Sequence, residues 1–100
     1  MSAIRALQDQ LFFKLCSDHL SIEAIPRKQV NIDLNAIKNQ GLGEHEIILW
    51  TPYFVVLENP VGIEVTVRKD GRMIIRKAGS EEDAHKAASD VLAQLSNFKR

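Results

Sequence analysis

The residues with chemical potential sit in a few short stretches. Between Val65 and Ala78 stand Arg68, Lys69, Arg72, Arg76 and Lys77 against a single acid, Asp70. Cations at that density suit a phosphate backbone or an acidic protein surface. The same charges on a solvated strand face also discourage edge-to-edge association. Cys16 and His19 are three apart, which on a helix would make them half of a metal site. His45 and His85 are the only other histidines, so a buried thiol and a polar-face imidazole are the expected uses. Glu44-His45-Glu46 carries the residue types of general acid–base work, but a chain of 100 residues leaves little room for a cleft around it. Gly41-Leu42-Gly43 lacks the downstream Gly-Lys-Ser/Thr of a phosphate loop and reads as a helix stop. Trp50 is expected in the core or at a sheet edge, with a base-stacking platform as the other use of its ring. No catalytic residue, metal site or cofactor is expected.

Composition narrows the classes further. Thirteen basic and thirteen acidic residues cancel, so bulk charge attracts neither nucleic acid nor an anionic membrane. One cysteine makes no internal disulfide, and a reducing, cytoplasmic setting is expected. No apolar run approaches the roughly 20 residues that span a bilayer, and the first residues lack a signal-peptide pattern. One domain with one modest core fits the length.

The elements that must position these residues are most legible at the C-terminal end. Ser80 caps Glu81-Glu82-Asp83, and Ala84, Ala87, Ala88, Val91, Leu92 and Leu95 follow at helical spacing, which predicts a helix over 81–97. Upstream, a hairpin turns at Lys69-Asp70-Gly71. A two-residue Asp70-Gly71 turn would leave both faces mixed. A three-residue loop with Gly71 left-handed pairs Arg68 with Arg72 instead. Ile63, Val65, Val67, Met73 and Ile75 then share one face, and Glu64, Thr66, Arg68, Arg72, Ile74 and Arg76 the other. The same register sets Glu64 across from Arg76 as an ion pair. Glu46–Trp50 and Tyr53–Leu57 read as two more strands, broken at Thr51-Pro52, with a turn at Asn59-Pro60.

The first half is less determined. Ile4, Leu7, Leu11 and Leu15 form one stripe of a helix over 3–20, and Ala6, Phe13 and Leu20 a second. Either this helix is sandwiched within the fold or its second stripe meets a partner, most simply in a symmetric homodimer through Ala6, Phe13 and Leu20. Residues 26–40 fit a helix from Pro26, or a short strand Gln29–Ile32 followed by a helix ending before Gly41.

The order strand, strand, hairpin, helix over roughly residues 50–95 resembles the second part of a TATA-box-binding protein repeat. Pro52 before one strand, Pro60 before the next, Gly71 in the turn and Ser80-Glu81-Glu82-Asp83-Ala84 opening the helix carry the likeness. The resemblance implies that Arg72, Ile74 and Arg76 lie on the family's DNA-facing side, and that Gln29–Ile32 echoes its first strand, with Asn31 on that side too. The family's intercalating phenylalanines fall on Thr51 and Arg68 here, and neither is an apolar wedge. The family also closes its saddle with two repeats, and this chain has one. The resemblance therefore extends to the fold rather than to TATA-type recognition.

The expected architecture is α+β: an antiparallel sheet of four or five strands with helices packed on one face. The expected function is a non-enzymatic binding module that offers Arg68, Lys69, Arg72, Arg76 and Asn31 to nucleic acid or an acidic protein surface. The alternative is an assembly or regulatory subunit, dimeric through the N-terminal helix, that binds no nucleic acid.

Overall fold

Alternation along short strands builds the sheet. The computed structural model describes residues 11–15, 21–28, 30–95 and 98. Among these the strands are β1 (Leu11–Leu15), β2 (Ser21–Pro26), β3 (Glu46–Trp50), β4 (Phe54–Glu58), β5 (Glu64–Arg68) and β6 (Met73–Arg76). The helices are α1 (Leu34–Gln40) and α2 (Glu81–Leu95). All six strands form one antiparallel sheet in the order β1-β2-β6-β5-β4-β3. The class is α+β as expected, with six strands rather than four or five.

The additional strands come from the first half. Leu11–Leu15 is not helical; it pairs antiparallel with β2, from Leu11 opposite Pro26 to Leu15 opposite Ile22. Leu11, Phe13 and Leu15 repeat every second residue, while Leu11 and Leu15 also fit a helical stripe, and a neighbouring ladder outweighs local propensity. Ser21–Pro26 then joins β6, with Ile22 opposite Ile75 and Ala24 opposite Met73. The rest of the expected 3–20 helix lies outside the described residues. Over 26–40 no helix starts at Pro26. Asp33 caps α1 instead, its Oδ1 accepting the Ala36 N–H at 3.1 Å. Gly41, at φ 74°, ends the helix by donating its N–H to the Ile37 carbonyl at 2.7 Å.

The hairpin has the bulged register. Val67 stands opposite Met73 and Val65 opposite Ile75; the Arg68 N–H donates to the Arg72 carbonyl at 2.8 Å, and Gly71 sits at φ 89°. Val65, Val67, Met73 and Ile75, with Val55 and Leu57 of β4 and Ile22 and Ala24 of β2, are buried on one side of the sheet. Leu34 and Ile37 of α1 and Ala84, Ala87, Ala88, Val91, Leu92 and Leu95 of α2 complete the same core. Both helices therefore cover one face. The Trp50 indole N–H fixes α1 to β3 by donating to the Leu34 carbonyl at 2.8 Å.

The N-terminus of α2 is capped by Ser80, whose Oγ accepts the Asp83 N–H at 3.1 Å. Inside the helix, Ser89 is fully buried and its hydroxyl has no hydrogen-bond partner among the described residues. Replacing it with Ala removes an unmet polar group and improves helix propensity. Ser89→Ala should raise unfolding stability by about 1 kcal/mol in urea titrations, with no change in fold. The faces have an equally direct test. Val67→Asp places an unpaired charge in the core and should cost about 3–5 kcal/mol, whereas Thr66→Asp on the other side should cost under about 1 kcal/mol. The reverse order of losses would mean that the two faces are exchanged, and equal losses that the assignment of one buried and one open face is wrong.

Candidate docking face of the sheet

With both described helices on one side, the alternate residues of every strand are left on a face that no described element covers. The registers arrange them in three rows. Across the middle run Lys14, Glu23, Ile74, Thr66, Val56 and Leu49, one from each strand. Ile74, Thr66 and Val56 are half-buried by their neighbours, and Leu49, at the edge, is 50% exposed. About 7 Å along the strands on one side lie Arg72, Arg68 and Phe54. About 7 Å on the other side lie Arg76, Glu64, Glu58 and Glu46.

The hairpin turn shapes the basic row. Asp70 Oδ1 accepts the Arg72 N–H at 3.1 Å, and its other oxygen lies 3.4 Å from Arg68 and 3.8 Å from Arg72. Glu23 on β2 is 3.8 Å from Arg72. These pairs are solvent-exposed, so they orient the guanidiniums more than they stabilise the fold. Lys69 donates its N–H to the Tyr53 carbonyl at 3.2 Å, which ties the hairpin turn to the β3–β4 turn. That second turn is held by Thr51: its hydroxyl donates to the Phe54 carbonyl at 3.0 Å and accepts the Tyr53 and Phe54 N–H groups. A depression of about 410 Å³ lies between the two turns, lined by Tyr53, Phe54, Thr66, Arg68, Lys69, Asp70 and Ile74. Tyr53 is 76% exposed at its mouth.

Like charges face one another on this surface. Arg68 adjoins Arg72 across β5 and β6, Glu58 is opposite Glu64, and Glu46 is opposite Glu58. Directly opposed like charges are each unfavourable by roughly 0.2–1 kcal/mol. Asp70 relieves the arginines, and Lys77 lies 3.6 Å from Glu64. Glu46 and Glu58 have no ion-pair partner among the described residues. A face that keeps such pairs breaks a local rule without an internal gain, as functional surfaces do.

Of the expected binding residues, Arg68, Arg72 and Lys69 come together at one corner. Arg76 shares their face but lies about 13 Å further along its strand, among the carboxylates. It stands opposite Glu64 as the register requires, yet the carboxylate meets Lys77 instead, because Lys77 leaves the strand at φ 64° and turns back over it. Asn31 is exposed beside the hairpin tip, next to Ile32, whose N–H donates to the Lys69 carbonyl at 2.9 Å. Sequence reasoning missed the acidic row. Glu46 and Glu58 lie in two different strands, and the β3–β4 and β4–β5 registers that align them with Glu64 are its only signal.

The remaining candidates are used elsewhere. His45 Nδ1 lies 3.0 Å from the Leu42 carbonyl and closes the turn before β3. Trp50 stands on the helix-covered side with Lys38 Nζ 4.5 Å from its ring, so it offers no platform on the open face. Phe13 stacks on His85 of α2, ring centroids 3.9 Å apart. Ala6, Leu20, Cys16 and His19 lie outside the described residues. Among the described residues no cluster of His, Cys, Asp and Glu could hold a metal ion, and no helix is long and apolar enough to cross a membrane.

Comparison with known protein families, with characterised proteins and with solved structures finds no match to this chain. The chemistry of the open face therefore has to be read from its own residues.

The basic corner depends on Gly71. A Cβ there would collide with Val30 Cγ2 and crowd Pro26 Cγ, and φ 89° is unfavourable for any side chain. Gly71→Ala should destabilise the chain by about 2–3 kcal/mol in denaturant titration, and amide exchange should show the loosening first at Arg68–Arg72.

Proposed function

We propose that this chain is a non-enzymatic binding module, similar in fold to half of a TATA-box-binding protein, that presents the Arg68–Arg72 corner of its open sheet face to an acidic protein surface. The observation that carries this is the cross-strand pair of arginines beside a depression floored by Phe54, Thr66 and Ile74. Guanidiniums held at a fixed spacing suit carboxylates, and an apolar floor rewards desolvation of the contact. The observed order β3, β4, hairpin, α2 is the one on which the family resemblance rests. Net neutrality and the carboxylate row on the same face leave the basic corner as the part of this surface that an acidic partner can meet.

Tyr53 and Phe54 beside Arg68 and Lys69 support a second reading, in which a single nucleic-acid strand stacks a base in the depression. Anisotropy titrations at low and moderate salt separate the two, with labelled poly-glutamate, a single-stranded oligonucleotide and a duplex as probes. Poly-glutamate should bind, and Arg68→Ala and Arg72→Ala should each weaken it severalfold while leaving the circular-dichroism spectrum unchanged. Preference for the single strand, with a salt slope that falls by about one per arginine removed, would favour the nucleic-acid reading. If neither arginine affects any binding event of the protein, to these probes or to itself, the module reading fails.

A further inference from the structure

The basic corner does not stop at the hairpin. The chain that follows β2 clasps the hairpin turn: Pro26 and Val30 pack against Gly71, and the Ile32 N–H donates to the Lys69 carbonyl at 2.9 Å. Arg27 and Lys28 lie exposed in that stretch. We propose that Arg27 and Lys28 join Arg68, Lys69 and Arg72 in one binding site, and that its ligand is a short extended run of Asp and Glu on a partner protein. This rests on the reading that the corner binds an acidic protein surface, and it names the form that surface takes.

Charge and size define the ligand. Arg27, Lys28 and Lys69 have no ion-pair partner among the described residues, and Arg68 and Arg72 share Asp70, with Glu23 3.8 Å from Arg72. This end of the sheet therefore holds more positive charge than its own acids meet. Glu46, Glu58 and Glu64 gather at the other end of the strands, which directs an acidic ligand toward the hairpin. Asp70 already demonstrates the contact: one of its oxygens lies 3.4 Å from Arg68 and 3.8 Å from Arg72, so a carboxylate between the two guanidiniums is a geometry they accept. From Phe54 on β4, across β5 and β6, to Pro26 on β2 is three strand spacings, about 14 Å, which about four or five extended residues cover. An acidic segment can set a carboxylate at each of those residues. A nucleic-acid strand carries one charge per nucleotide, a longer repeat than a residue of extended chain, so fewer charges fit the same width.

The test is the anisotropy of a fluorescent peptide of about six glutamates, titrated with the protein in about 0.1 M salt. Arg27→Glu and Lys28→Glu should each raise Kd about threefold or more, and together about tenfold. Lys86→Glu makes the same charge change at the opposite end of the sheet, beside Asn59 and Lys77, and should change Kd less than about twofold, because salt screens it from the site. Amide shifts of the unmutated protein, followed by NMR through the same titration, should move together at residues 27, 28 and 68–72; this readout needs no variant. Losses with Arg68→Ala and Arg72→Ala but none with Arg27→Glu or Lys28→Glu, and shifts confined to the hairpin, overturn the extended site and leave the corner reading standing. An equal loss with Lys86→Glu reduces the effect to net charge and also overturns it. Tighter binding of a single-stranded oligonucleotide of the same length overturns the acidic segment in favour of nucleic acid. If the peptide, poly-glutamate and the oligonucleotide all fail to bind, the corner reading fails as well.

Discussion

The left-handed turn at Gly71 sets the parity of the hairpin, and the parity of the hairpin sets everything attached to it. With one extra residue in the loop, Val67 falls opposite Met73 and both point at the helices. Without it, β6 would slip by one residue and present Ile74 and Arg76 to the core. Because β6 is hydrogen-bonded on its other side to β2, the slip would pass into that strand too and exchange Ala24 for Glu23. A single φ of 89° thus separates a sheet with one apolar face from a sheet with none. Tight packing of Gly71 against Val30 and Pro26 keeps the turn from drifting.

The covered side is economical in side-chain volume. Ala84, Ala87 and Ala88 face the strands along the first half of α2, which lets the helix backbone approach closely, and the larger Val91, Leu92 and Leu95 fill the space further along. Ser89 follows the same preference for small residues at the expense of a buried hydroxyl. Phe13 extends this layer sideways to β1 through His85. The charged residues are consequently concentrated on the opposite face, where no element of the described chain covers them.

Much of this was legible in the sequence where local rules dominate. Ser80 and the acids behind it mark the start of α2, Asp70-Gly71 marks the turn, and burial alone selects the register of Val65, Val67, Met73 and Ile75. Legibility fails where two periods fit one segment. Leu7, Leu11 and Leu15 suit a helix, while Leu11, Phe13 and Leu15 suit a strand, and pairing with a distant β2 decides between them. It fails again where a surface is assembled from several strands. Arg68 and Arg72 are neighbours in one hairpin and could be found together. Glu46, Glu58 and Glu64 share a row only because the registers of three strands agree. Alternation puts Arg76 on the face it occupies but says nothing of distance along the strand, and it is the register that sets Arg76 beside Glu64 rather than beside Arg68 and Arg72.

The ladder between β3 and β4 is interrupted at Ile48, where two residues span the space of one. β3 is a terminal strand of the sheet, and Ile48 is 51% exposed upon it. An extra residue bends such a strand and throws its free amides and carbonyls out of step with any regular strand laid alongside. The irregularity in β3 makes this oily edge a poor template for the addition of a further regular strand.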